Sequence, residues 1–522
     1  MIFSSLQYLI FLPIVVFLYW RTTGSARLGL VVLSSYFFYM SWFPLYGVLL
    51  LLLTLINWGL ALCLDITNGK SAVPAATAGA SAAAIASQPQ TNSHLREGLL
   101  IAGLLLNLGC LCYYKYTNFI LSNLFATLNW TQSSVAQWFG SAMMVPAWQA
   151  PVLKLMLPLG ISFFVFEFVH YIADVYKGSK PIKSFMEFAA FASFFPSQIA
   201  GPIKRYQDFN DRLRAPEAWS TPLFYEAMTL IVQGLFKKVA IADPIAIMVW
   251  RPFSMTHLFS STDALLTAIG FTIQVYCDFS GYTDIGRGSA LLLGIRLPEN
   301  FNLPYLSADL GEFWRRWHMS LGSWLRDYIY IPLGGSRHGR FSNWRNLFIT
   351  MVICGLWHGA SWHYVIFGAT QGIGLVVNRE WRNVLESIKP LQRALDTLPG
   401  KALGVFLTMS YIVATFAVFR APDMPQAFNM LRSMVNFHGE SMLLEPLMRS
   451  GISQLLSVYM IFWLVTELAK RRPQWFGPIM ISESIKALRY SAPVRFASWT
   501  AAIILTIAAR PTDAIPFVYF QF

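Results

Sequence analysis

Residues 312–363 read EFWRRWHMSLGSWLRDYIYIPLGGSRHGRFSNWRNLFITMVICGLWHGASWH. The first half is charged and aromatic, whereas the second turns apolar at Leu347 and still carries an imidazole, His358, directly after Trp357. An apolar run of this length enters a bilayer as a helix, and an ionisable side chain at lipid depth is costly, so by default it marks a functional site. His318, directly after Trp317, is a second imidazole in the same stretch. The rest of the chain has to supply a reason for holding both.

Outside this stretch the composition points the same way. Of 522 residues 55% are hydrophobic and 12% charged, with a mean hydropathy of +0.49, which argues for a polytopic membrane protein and against a soluble globule. No charged residue occurs between Leu28 and Leu64, and comparable Leu-rich runs recur. Only helices and closed barrels satisfy their own backbone in lipid, and continuous runs of roughly 20 residues fit helices rather than barrel strands. The net charge of +13 lies in short clusters between apolar runs, as anionic headgroups and the positive-inside rule require, so nucleic acid is not expected as a partner and membrane lipid is. Cys63, Cys110, Cys112, Cys277 and Cys354 form no CxxC pair and read as small apolar residues rather than a zinc site or disulfide framework.

The expected fold is therefore all-α, one membrane domain over residues 1–522 with roughly eleven spans and further re-entrant or interfacial helices. Spans are predicted near 2–20, 28–43, 46–64, 98–124, 152–176 and 223–249, the last interrupted at Lys237-Lys238 or placed there at an interface. Two apolar runs occupy 263–294 around CDFSGYTD, whose polar residues break the helical pattern. Two spans follow within 347–377, then one each near 402–419, 451–469 and 496–510. Residues 65–97 read as a flexible Gly/Ala/Ser-rich polar loop, residues 186–203 as a re-entrant or interfacial piece, and residues 295–346 as short helices leading to the His358 span. Glu167, His170 and Asp174 share one helical face that must look toward protein or water. No internal repeat is visible, which weighs against an inverted-repeat transporter.

For His358, the flanking Gly355 and Gly359 allow close backbone approach, and a desolvated imidazole favours the neutral, proton-accepting form. A core histidine bonded across a helix pair explains the same residues, and an interfacial Trp/Arg belt explains His318 within Trp314-Arg315-Arg316-Trp317. If that segment is helical, Trp314 and Arg315 share the face of His318. His363 is expected to face elsewhere. There is no HExxH spacing, no GxxxxGK[ST] loop and no GxSxG, so metal, P-loop and serine-elbow chemistry are not expected. General acid/base catalysis remains the simplest chemistry: a hydroxyl attacking a thioester needs a base for its proton and little else.

The long motifs FFPSQIAGPIKRYQDF at 194–209, QVYCDFSGYTDI at 274–285, PENFNLPY at 298–305, EFWRRWHMSLGSWLRDYIYIPLGG at 312–335 and NLFITMVICGLWHGASWHYVIFG at 346–368 resemble the membrane-bound O-acyltransferase superfamily, in particular its bacterial, alginate-type polysaccharide O-acetyltransferases. The resemblance implies a helical membrane fold with a central tunnel, with His358 as catalytic histidine and His318 as the second functional histidine. It further implies acetyl-CoA as acyl donor with no bound cofactor, a periplasmic SGNH-type acetyltransferase or esterase partner, a polysaccharide acceptor such as alginate or cellulose, and location in the bacterial inner membrane. Candidate residues shaping the substrate site are Glu312, Trp314, Arg315, Trp317, Arg326, Asp327 and Trp357, with Asp278, Ser280 and Tyr282 along the donor path. Two non-enzymatic readings stand beside this one: a transporter of acyl groups or polymer whose histidines relay protons, and a scaffold that docks a periplasmic acetyltransferase.

Overall fold

The computed structural model describes residues 1–67, 93–138, 148–199, 201–436, 439–443 and 492–511, together with 461, 464, 468 and 515–517. Most of the expected polar loop at 65–97 and of the expected span at 451–469 lies outside the described residues. The described residues are helical and contain no strand beyond a single antiparallel bridge between Phe301 and Trp317, which agrees with the all-α expectation. The chain forms two compact units, one of Met1–Ala218 with Leu293–Ile295, the other of Trp219–Leu292 with Arg296–Phe522.

In the first unit the helices are α1 (Leu6–Arg21), α2 (Gly24–Met40), α3 (Pro44–Ile66), α4 (Ser93–Leu111), α5 (Thr117–Trp138), α6 (Ile161–Tyr176), α7 (Phe185–Ser193) and α8 (Tyr206–Arg214). Ser5 and Ser184 cap α1 and α7 by accepting from the amides of Tyr8 and Glu187. Asn57 of α3 and Asn107 of α4, both buried in otherwise apolar helices, exchange amide hydrogen bonds at 3.1 and 2.7 Å and so lock the pair. The span expected over 152–176 is helical only from Ile161. Pro158 disfavours helix before it, and Gly160, at φ +71°, sits so close to Gln198 that a Cβ would lie 2.7 Å from its carbonyl oxygen. The face of Glu167, His170 and Asp174 does look into protein: Glu167 is paired with Lys204 at 2.7 Å, and Asp174 accepts from Gln207 at 2.9 Å.

The second unit contains α9 (Thr221–Leu235), α10 (Asp243–Ser254), α11 (Ser261–Leu292), α12 (Leu310–Arg316), α13 (Met319–Leu325), α14 (Gly339–His358), α15 (Trp362–Ser387), α16 (Lys389–Leu395), α17 (Leu398–Arg420), α18 (Met424–Val435) and α19 (Ala492–Ala509). Two sequence expectations are corrected here. The Lys237-Lys238 pair does not split its helix, because a π-helical segment, Phe236–Ala242, joins α9 to α10. The extra residue per turn of such a segment re-aims side chains, and Lys238 points into the protein, 2.7 Å from Asp243 and 2.9 Å from Asp278. CDFSGYTD, in turn, does not interrupt a helix: α11 runs through it for 32 residues. Its carboxylates are neutralised by Lys238 and Lys237, and its glycines let it approach α9, since a Cβ at Gly281 or Gly288 would lie 2.7 or 2.6 Å from the carbonyl oxygens of Gly234 and Ala227.

Three helical stretches among the described residues are long and apolar enough to cross a membrane by length and composition: Pro44–Ile66, Ser93–Ser134 and Leu398–Arg420. Among the described residues the remaining expected spans are shorter or carry polar and charged side chains of the kind just described, so this measure does not reach the expected count. Residues 295–346 form short helices, as their lack of a full apolar run predicts.

Candidate active site

His318 owes its position to a turn. α12 ends at Arg316, and the backbone then runs antiparallel to residues 300–302: Asn302 N donates to Arg316 O at 3.0 Å and Met319 N to Asn300 O at 3.0 Å. Between these bonds His318 takes φ +45° and ψ +55°, a left-handed conformation uncommon outside glycine that is sustained only where the surroundings over-determine it. Asn300 supplies that constraint. Buried to 1% exposure, its Oδ1 accepts from Ser320 N at 3.2 Å and from Ser320 Oγ at 2.6 Å, fixing the first turn of α13. Because the helix breaks here, Trp314 and Arg315 do not share a helical face with His318, contrary to the expectation for one continuous helix. The imidazole is buried with its ring centroid 4.7 Å from that of Phe279 on α11 and 6.1 Å from that of Trp357. Neither ring nitrogen of His318 has a hydrogen-bond partner among the described residues.

His358 is the last residue of α14. α14 and α15 meet at glycines: a Cβ at Gly355 would lie 2.2 Å from Tyr364 O and 2.8 Å from Gly368 Cα, and one at Gly359 would lie 2.1 Å from Tyr364 Cε2. The close backbone approach read from the sequence is thus present, and it is what seats Trp357 and His358 at the helix end. The His358 ring is buried, 4.8 Å from Trp357 and 5.0 Å from Phe419 of α17 between centroids. The indole of Trp357 therefore packs against both imidazoles. His363 starts α15, with Nδ1 2.9 Å from Ser361 Oγ and its ring against Tyr364, and takes no part in this cluster.

The other candidate residues divide by what they touch. Trp317 packs among Phe301, Phe313 and Phe416, at 5.1, 5.5 and 5.4 Å, and Trp314 donates through Nε1 to Gln371 at 3.1 Å. Glu312 belongs to a cap: its amide donates to the N-cap Asp309 at 2.8 Å, its carboxylate accepts from Ala308 N at 2.9 Å, and it pairs with Arg316 at 2.6 Å. Arg315 is exposed, and Arg326 pairs with its neighbour Asp327 at 2.8 Å in an exposed position. Asp278 is held by Lys238, and Tyr282 stacks on Phe517 at 4.4 Å. Ser280 instead lines a cavity of about 230 Å³ together with Tyr276, Thr283, Asn300 and Phe301. Among the described residues no three His, Cys, Asp or Glu side chains are grouped to hold a metal ion.

Sequence reasoning did not single out Asn300, and it noted Lys238 only as a charge interrupting an apolar run. Asn300 lies within PENFNLPY, where an asparagine among turn residues is a usable signal, whereas one partner of Lys238, Asp278, comes from a helix remote in sequence.

This arrangement can do proton chemistry in a desolvated setting: two imidazoles enclosed by rings, one at a constrained turn and one at a helix end. Residues 99–419 match the model of the MBOAT, membrane-bound O-acyltransferase, family. A probable alginate O-acetylase of Pseudomonas putida is 36% identical over 445 residues, covering 84% of this chain and 81% of that protein. A peptidoglycan O-acetyltransferase of Helicobacter pylori is 31% identical, covering 79% and 74%. A teichoic acid D-alanyltransferase of Streptococcus thermophilus is 32% identical over a shorter stretch, covering 50% and 68%.

Proposed function

Since the chain belongs to the membrane-bound O-acyltransferase family and is a membrane acyltransferase, we propose that it takes acetyl groups from a cytoplasmic thioester and passes them across the bacterial inner membrane for O-acetylation of an exopolysaccharide. Acetyl-CoA is the proposed donor, alginate the first acceptor to test and cellulose the second. A periplasmic SGNH-type protein is the proposed partner at the receiving side. The observation that carries this reading is the burial of His318 and His358 against the same indole, that of Trp357.

In the proposed reaction His358 accepts the proton of the acceptor hydroxyl as its oxygen attacks the thioester carbonyl carbon. The carbon–sulfur bond breaks, and the leaving thiolate takes up the proton from the imidazolium. His318 orients the substrate or shares this proton. Rings around the imidazole exclude bulk water from the reacting atoms. Glu312, Arg326 and Asp327 serve the local structure that holds the site, and Ser280 faces the path by which a substrate arrives.

The test uses membrane vesicles containing the full chain and its periplasmic partner, supplied with radiolabelled acetyl-CoA. Label on the polymer, lost in His358→Ala with the protein still inserted, supports the reading. Label unchanged in His358→Ala supports a scaffold, and flux of acetyl groups with no ester formed supports a transporter.

A further inference from the structure

In the first unit two asparagines of α5 grip the non-helical segment 148–157. Asn118 exchanges hydrogen bonds with the backbone of Leu153, at 2.9 Å each way, and Asn129 does the same with Trp148, at 2.9 and 2.8 Å. The spacing matches, since eleven residues of helix rise about 16 Å and five residues of extended chain cover about 16 Å. Tyr46 of α3 anchors the same segment by donating to Met156 O. The clamp fixes Trp148 beside the residue that precedes Trp130, and both indoles stay in the open, 55% and 68% exposed. Ser133, one turn on from Trp130, and Gln149, next to Trp148, are exposed as well. Bare rings on a fixed backbone, with hydroxyl and amide groups at their edges, have the composition of a recognition surface.

Lys and Arg divide unevenly between the two ends of this unit. Arg96, at the start of α4, donates to Tyr176 O at the end of α6, so that end gathers Arg96, Lys177, Lys180 and Lys183. The opposite end carries residues 116–153, which hold no charged residue between Lys115 and Lys154. By the positive-inside rule the α5 end is the non-cytoplasmic one. A belt of tryptophans among lipid headgroups would also expose indoles, but length decides against it. The helix is continuous from Ser93 to Ser134, and Trp130 lies about 50 Å along it from Glu97, against about 40–45 Å for a bilayer with its headgroups. We propose that Trp130 and Trp148 form a docking platform for a neutral glycan chain, whose sugar rings lay their C–H faces on the indoles and whose hydroxyls bond to Ser133 and Gln149. A polyuronate calls for cations, and this stretch offers none. The choice of a glycan rests on the acyl-transfer reading, which brings a polysaccharide to this side, and the platform shares no residue with the histidine cluster.

The full-length protein in nanodiscs of zwitterionic lipid is titrated with cellotriose and with trimannuronate, and binding is read by saturation-transfer NMR. Cellotriose is expected to bind at millimolar concentration and trimannuronate to stay free. Trp130→Ala and Trp148→Ala should each weaken cellotriose by about tenfold, and Trp130→Tyr should keep most of the affinity. Both rings are exposed, so an unchanged Tm verifies folding of the variants. No cellotriose binding, which leaves the tryptophans to lipid, overturns the proposal. So does equal binding by wild type and both Ala variants, or a preference for trimannuronate. Acetyl transfer from acetyl-CoA is measured on the same nanodiscs with the periplasmic partner: transfer without cellotriose binding overturns the platform alone, and cellotriose binding without transfer overturns the acyl-transfer reading alone.

Discussion

The Glu167–Lys204 pair of the first unit and the His318–Trp357–His358 cluster of the second both bury ionisable groups, and they are built in opposite ways. Lys204 reaches both carboxylate oxygens of Glu167, at 2.7 and 2.8 Å, and lies over the ring of Phe191 at 4.8 Å. The imidazoles are wrapped in rings instead, His318 by Phe279 and Trp357, His358 by Trp357 and Phe419. A buried charge that is permanent needs a permanent countercharge, or its desolvation penalty goes unpaid. A group that must gain and lose a proton is better served by surroundings that favour its neutral form and fix its geometry. Lys238, with Asp243 and Asp278, repeats the first design within the second unit, so the contrast belongs to the role of the group and not to its location in the chain.

The sharpest break of this contrast is at His358. Replacement by Ala is expected to lower acetyl transfer by about 10²–10⁴-fold, the range of a lost general base, with Tm little changed. The paired charges should respond in reverse: Lys204→Met and Lys238→Met each strand buried carboxylate and should lose about 3–5 kcal/mol of stability, read as a lower Tm. Transfer per folded molecule should survive in both. A Lys238→Met protein that is stable but inactive would move the ion triad into the chemistry and end the distinction.

Asn300→Ala sharpens the turn. It removes the acceptor of Ser320 N and Oγ, so a loss of about 1–3 kcal/mol is expected, together with a fall in transfer as His318 leaves its left-handed conformation. Asn300→Asp keeps the acceptor oxygen and should recover most of the stability. If Asn300→Ala left both properties untouched, the turn would be held by its backbone bonds alone.

The smallest effect is expected at a peripheral pair past the apolar part of α15. Hydrogen bonds from Arg340, and then from Trp344, hold the Glu380 carboxyl down from 4.5 to about 2. A depressed carboxyl stabilises the fold above its ordinary range, so the contribution is fully present above pH 4.5 and is lost as pH falls through about 2. The Tm difference between wild type and Glu380→Gln should therefore shrink over that window, and shrink with added salt at neutral pH.

Much of the fold can be read residue by residue. Apolar runs predicted helices where α1, α3 and α17 stand, and the glycines flanking His358 predicted a close backbone approach, which α14 makes with α15. The readings that needed correction share a cause. Lys237-Lys238 and CDFSGYTD look disruptive when each is read alone, and only pairing across α9, the π segment and α11 makes both compatible with uninterrupted helix. The break at His318 was equally hidden, since WRRWHMS has no proline or glycine to announce it and the bonds that impose it come from Asn300 and Asn302.

By itself, then, the sequence determined that this is a helical membrane protein with two tryptophan-linked histidines. Apolar content and glycine spacing act over a few residues and are legible there. Only the tertiary structure decided that one indole joins the two imidazoles, that Lys238 answers Asp278, and that His318 stands at a strained turn. Those are contacts between segments remote in sequence, and their free energy depends on burial and distance, which no local pattern records.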